Sequence, residues 1–271
     1  MKVRYPNMDF SDLRAHWAEN PEFAQGFNAF STVPAHIEPY LIKVMNKAKK
    51  VLDSKYESLH NDIEIFNKQE VQHCRLHLAF NKQMYKIGYA EMEELEKPYK
   101  QDYEDFLNNR SLRFNVAYCE GFEALGSASA HMYFEDLVDM FGGADAEPVN
   151  LWKWHLAEEF EHRTVCYDLY TALYGDSLYS YLYRVWAFVY ACKHIGAHTK
   201  KIKSYLIAKD RENMTPAELK ESKRREKLVD KRIAKASFKR LKTVFSPFYD
   251  PGKKIPSPGM AEILAAYPDH R

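Results

Sequence analysis

The stretch "WHLAEEFEHR" (154–163) gathers two histidines and three glutamates into ten positions. On a helix that advances ~100° per residue, with Glu159 at zero, His162 falls at about −60° and His155 at about −40°. These three side chains share one face. Glu158 borders the same stripe at about −100°, while Glu161 points away, about 160° from Glu159, and reads, with Arg163, as solvent-facing. A second stretch, "QEVQHCRLH" (69–77), repeats the spacing: Glu70 and His73 stand at i, i+3, and His77 lies one turn later.

Two Glu-x-x-His helices are half of what a dinuclear carboxylate site in a four-helix bundle needs. The other half is one inward glutamate from each of two further helices. The chain offers both. Glu120 lies in "NVAYCEGFEALG" (115–126), among small and apolar residues where an unpaired carboxylate is costly. Glu38 lies in "PAHIEPYL" (34–41), flanked by apolar positions. A single Glu-x-x-His is common on helix surfaces and carries little. Two copies interleaved with lone buried glutamates carry much more. The order Glu38, Glu70/His73, Glu120, Glu159/His162 predicts an all-α, ferritin-like four-helix bundle holding metal. Glu70, Glu120 and Glu159 are its expected bridging or chelating carboxylates. His77, Glu158 and Glu123 are further candidates, as additional ligands or as groups behind the ligands. Glu123, ~60° around the helix from Glu120, is placed to substitute for it. His131 and Cys74 read as packing residues.

Outward from these motifs the chain reads as helical throughout. Of its 271 residues 46% are hydrophobic, with 10 Gly and 12 Pro, which favours helices over a turn-rich β design. "STVP" (31–34) reads as a helix start, with Pro39 tolerable only in the first turn. Helical spacing of Leu59, Ile63, Phe66 and Leu76 predicts a second helix over about 57–86. Gly88 and Pro98 punctuate the chain beyond it. A third helix is expected over about 110–134, and a fourth over about 149–174, ended by Gly175. "SLYSYLYRVWAFVYAC" (177–192) is interrupted by Arg184 and is short for a bilayer span, so it reads as a buried helix. "TPAE" (215–218) is a capping box. Beyond it, 220–242 carries eleven Lys or Arg against three acids, with Leu228, Ile233, Phe238 and Leu241 as its expected apolar face. The expected organisation is one helical domain over 1–271: an irregular arm to about 30, a metal-binding core at 31–175, accessory helices at 176–243 and a proline-rich tail at 244–271.

A net charge of +1 gives no field that points to nucleic acid. Cys74, Cys119, Cys166 and Cys192 form no CxxC pair and read as buried thiols of a reduced protein. "MKVRYPNMDF" lacks the apolar run of a signal peptide. The expectation is a cytoplasmic protein with no transmembrane segment and no specific nucleic-acid partner. A dimer is compatible with it.

At the same residues the chain resembles a family of bacterial proteins known as predicted metal-dependent hydrolases. "FNKQEVQHCRLH" (66–77) matches its F-x-x-Q-E-x-x-H-x-x-x-H motif, and "WHLAEEFEH" (154–162) matches W-H-x-x-E-E-x-E-H. "PAHIE" (34–38) approximates a P-x-G-E element, and "YCEGF" (118–122) stands where A-L-E-H-F is usual, with Glu120 retained. The resemblance spans about 28–195 and the proline-rich tail. The arrangement is also similar to ferritin-like diiron oxygenases of aromatic amines, in which an extra histidine gives H-x-x-x-E-x-x-H. His155, Glu159 and His162 fit that spacing. The resemblance implies seven ligands: Glu38, Glu70, His73, Glu120, His155, Glu159 and His162.

Many carboxylates with a few imidazoles suit iron, with manganese or zinc as alternatives. The leading expectation is therefore a non-heme diiron oxygenase or oxidase with O2 as co-substrate and an external electron donor. The resemblance implies a small aromatic substrate, an amino acid such as tyrosine or a derivative. A zinc or manganese hydrolase is the alternative. A non-enzymatic metal-binding protein with 220–242 as its contact helix is the third.

Overall fold

The computed structural model describes residues 1–267, and among them the fold is all-helical with no strand. The helices are α1 (Pro21–Phe30), α2 (Thr32–Lys49), α3 (Glu57–Lys86), α4 (Glu91–Asn109), α5 (Leu112–His131), α6 (Ala146–Glu161), α7 (Val165–Tyr174), α8 (Leu178–Asp210), α9 (Pro216–Leu241) and α10 (Met260–Ala266). No described helix is long and apolar enough to cross a membrane. The four cysteines are free, Cys119 and Cys166 fully buried and Cys74 and Cys192 partly so.

Several ends are set by the local chemistry the sequence advertises. The Thr215 hydroxyl accepts from Glu218 N–H while the Glu218 carboxylate accepts from Thr215 N–H, and Pro216 opens α9. Asn20 and Ser111 cap α1 and α5 through their side chains. "STVP" behaves differently from its expected start signal. Ser31 is already in right-handed helical conformation between α1 and α2 and makes no side-chain cap bond. Its hydroxyl is used elsewhere, at 2.8 Å from His77 Nδ1.

Pro39 sits in the interior of α2, beyond the first turn the sequence reading allowed. A proline there leaves the carbonyl four residues back without its donor. Cys74 on α3 supplies one: its thiol donates to Ala35 O at 3.6 Å. Pro98 is likewise inside α4, a helix expected only as punctuated chain. Tertiary packing holds α4, through Met92, Tyr99, Tyr103 and Phe106 on its buried face. The expected fourth helix is two helices, α6 and α7, broken at His162–Thr164. Arg163 donates there to Phe160 O at 2.7 Å, pairing a carbonyl freed by the break.

The ligand-bearing bundle is α2, α3, α5 and α6. In it α2 packs along α3 and against α5, and α6 packs along α5 and against α3. The core divides in two along this bundle. One apolar cluster holds Ile37, Ile63, Phe66, Val116 and Cys166, and another holds Leu76, Phe80, Trp152, Trp154 and Leu156. On α3 the sequence passes from Phe66 of the first cluster through Glu70 and His73 to Leu76 of the second. The polar motif therefore lies between two dry cores.

The remaining helices wrap the bundle. α8 lies along α5 and α1, and α9 crosses α5 and α1. Four of the eleven Lys and Arg of 220–242 pair with acids of the body: Arg225, Arg232, Lys239 and Arg240. Arg225 grips Glu22 at 2.7 Å, Arg240 grips Asp136 at 2.6 Å, and Arg232 pairs with Asp139. Its buried face is Ser222, Val229 and Ala236. Leu228 and Phe238, expected on that face, are 54% and 75% exposed. The N-terminal arm holds α1 as well as irregular chain, and the tail is not all coil, since it contains α10. The last four residues of the expected tail, 268–271, lie outside the described residues.

Candidate metal centre

Six side chains of the four bundle helices, and His162 at the C-terminal end of α6, converge between the two cores. Glu38, His73, His155 and Glu159 form one group and Glu70, Glu123, Glu159 and His162 another. Within each group the donor atoms lie within 4.8 Å of one another, and Glu159 belongs to both. Glu38, Glu70, His73, Glu159 and His162 are 0% exposed, Glu123 is 1% and His155 is 2%.

Each imidazole presents one nitrogen to this cluster and has the other tied from behind. His73 Nδ1 lies 3.7 Å from Glu159 and 3.8 Å from Glu70, while Nε2 is 3.0 Å from Glu158 Oε2. Arg4, from the N-terminal arm, donates to Glu158 at 2.8 Å and to Glu161 at 2.9 Å. His162 Nε2 lies 3.2 Å from Glu123 and 3.3 Å from Glu70, while Nδ1 is 3.1 Å from Gln69 Oε1. Gln69 in turn donates to Glu161 at 2.8 Å. His155 Nε2 is 3.4 Å from Glu159, and Nδ1 is 3.0 Å from His77 Nε2, which Ser31 backs. Anchoring the far nitrogen fixes the tautomer and the ring angle, which is how metal-binding histidines are held.

Two sequence expectations are refined here. His77 stands behind His155, facing it and Ser31. Glu161 is only partly exposed and is bonded to Arg4, Gln69 and the Lys2 N–H, so it props the His162 support and does not merely face water.

The donors fit cations. Both carboxylate oxygens of Glu38, Glu70, Glu123 and Glu159, with His73 Nδ1 and His162 Nε2, are buried without a hydrogen-bond partner. Taking a carboxylate out of water costs on the order of several kcal/mol per ion unless it is neutralised. Two divalent cations would balance the four carboxylates charge for charge. Without them the cluster must hold protons. Burial, and then the charge of Glu70, pushes Glu38 well above the ordinary carboxylate range. Burial and then Glu159 do the same to Glu123. Burial opposes the charge on His73, but the hydrogen bond to Glu158 and the nearby charge of Glu70 prevail and raise it to about 9. His162 is raised against its burial by Glu123 and Glu159. His155 is lowered to about 4 by burial and by the charge of His73. Glu159 resists its burial because His155 and His162 face it, and stays below the ordinary range.

Glu120, the lone glutamate expected from the third helix, is not in the cluster. It is buried, but its Oε1 accepts from Arg184 Nη1 of α8 at 3.2 Å. Glu123, one turn on, takes the inward place. The arc of α5 that faces α6 is set by Gly126: a Cβ there would come within 2.0 Å of Glu159 Oε2. Gly126 and Glu123 thus share the face toward α6, while Glu120 turns to α8. The groups that sequence reasoning missed altogether are Arg4, Ser31 and Gln69 in their anchoring roles, and Gly126 as the gap for Glu159. Only Gln69 carried a signal, as part of the QE-x-x-H motif.

A family model described as "Predicted metal-dependent hydrolase" matches residues 2–254. No curated protein and no solved structure gives a significant match.

Proposed function

The chain belongs to the predicted metal-dependent hydrolase family, and from that premise we propose a dinuclear iron enzyme that uses O2 to oxidise a small organic molecule. Glu38, His73 and His155 would hold one metal, Glu70, Glu123 and His162 the other, and Glu159 would serve both. The observation that carries the reading is the shared Glu159 between two buried four-donor groups. When bound, two irons supply redox chemistry with O2. The protein's part is orientation and exclusion of water. Glu158, His77 and Gln69 hold the rear nitrogens of His73, His155 and His162. Phe66 and Trp154 wall the cluster, their rings 4.7 Å from His162 and 4.8 Å from His73.

Carboxylate-rich, imidazole-containing donor sets suit iron and manganese. Hydrolysis needs instead a metal with a position open to water. The substrate implied by the resemblance is an aromatic amino acid or derivative, tyrosine being the concrete candidate. A second reading, a zinc or manganese hydrolase, is favoured by the family's own description. One experiment separates them. Metal is counted in protein purified without added metal, and the reduced protein is then exposed to O2 with aromatic substrates. About two irons per chain with substrate-dependent O2 uptake is expected. Zinc at that level, with ester or amide turnover under anaerobic conditions, would establish the hydrolase instead.

A further inference from the structure

A cavity of about 540 Å³ lies between α8 and α9, closed by residues of α1, α5 and α6. This is the size of a site for a small organic ligand. Its inner wall includes Phe30, Leu125, Trp152 and Leu156. Trp152 joins it to the metal centre: its ring stacks on Phe30 at 5.6 Å and lies 4.8 Å from His77 and 5.8 Å from His155. Cavity and cluster are therefore one side chain apart.

The charges at the α8–α9 rim sort themselves. Asp230 is taken by Lys203, and Glu226 accepts from Arg211 at 2.8 Å. Lys200 is exposed, lines the cavity, and has no acidic partner among the described residues. The rim therefore offers one uncommitted positive charge above an apolar, aromatic floor.

We propose that this cavity is the substrate chamber and that it takes an apolar organic acid. The carboxylate sits at Lys200 and the apolar body lies against Phe30 and Trp152. The assignment of a substrate rests on the oxidative reading of the adjacent centre, whereas the acid-binding site itself is testable apart from it. Aryl and alkyl acids share this chemistry, and two probes tell them apart.

Binding of 3-phenylpropionate, octanoate and their primary amides to the metal-loaded protein is measured by calorimetry. The acids are expected to bind at least about tenfold more tightly than the amides, and Lys200→Ala to erase that difference. The tighter acid identifies the aryl or alkyl class. Gly196→Trp plugs the cavity wall where an added Cβ meets nothing within 4 Å. It should abolish binding of both acids while the metal count stays unchanged. Amides binding as well as acids, or acid binding that survives both variants, would overturn the proposal. Absent O2 uptake with acid binding and its Lys200 dependence intact would overturn only the oxidative reading of the centre.

Discussion

Glu120 and Glu123 stand one turn apart on α5, each 1% exposed, and have opposite surroundings. Glu120 meets a cation the protein itself supplies, Arg184 of α8. Glu123 meets His162 and other carboxylates, and neither of its oxygens has a hydrogen-bond partner. Burial alone therefore does not mark a ligand. A buried acid with its own guanidinium is part of the scaffold, and a buried acid whose neighbours are also acids requires a charge from outside.

The most severe test of this contrast lies at the residue both groups share. Glu159→Ala should remove both metals, read by elemental analysis, while the far-UV circular dichroism stays helical because the two flanking cores are untouched. Retention of either metal at full stoichiometry would show that Glu159 does not join the groups. Next comes the pair itself. Glu123→Ala should lower the metal count by at least one per chain. Glu120→Ala should keep the metals but destabilise the fold by about 3–5 kcal/mol, because Arg184 is left buried and alone. Denaturant titration beside a metal count checks both, and the opposite pattern would reverse the assignment.

Much of this arrangement was legible in residue spacing. Apolar positions at Leu59, Ile63, Phe66 and Leu76 delimit a helix close to the observed α3, and Thr215 with Glu218 forms the box their spacing predicts. The two Glu-x-x-His stripes meet because each is local to one helix face, and local geometry is what periodicity reports. The choice between Glu120 and Glu123 was not legible. They lie within the same inward arc of α5, and what separates them is Arg184, 64 residues away from Glu120 on another helix. Arg4 is hidden for the same reason, since its contact with Glu158 spans 154 residues. α1 and α4 were missed because Gly26 and Pro98 weaken their local signal, and packing against the bundle overrides it.

The two acids also part company with pH. Burial lifts Glu120 to about 7 from its ordinary 4.5, and Arg184 only partly offsets it. A carboxyl that holds its proton more tightly when folded contributes full stability below the unfolded value and loses it as pH rises to the folded one. The fold should therefore lose on the order of 3 kcal/mol between about pH 4.5 and pH 7 from this group, and Glu120→Gln should flatten that slope. Glu123 and Glu38 hold their protons well above that range, and metal must displace those protons to bind, so metal affinity should increase over the same rise in pH. A metal affinity that fell over this range would contradict their role as donors.

The smallest expected effect is the most discriminating. A buried ion pair can be exchanged for apolar side chains of similar volume at little net cost, because the desolvation of both charges is recovered. Glu120→Leu combined with Arg184→Met removes both charges at once. The remaining loss is the bond from Arg184 Nη2 to Val244 O, 2.9 Å long, worth about 1 kcal/mol. Stability should then stay within about 1–2 kcal/mol of the parent, far from the cost of Glu120→Ala alone. The metal count should not change. No equivalent exchange exists for Glu123, whose partners are the other donors of the centre. If the double variant lost metal, the Glu120–Arg184 pair would be orienting α5 for Glu123, and scaffold and site would have to be treated as one coupled unit.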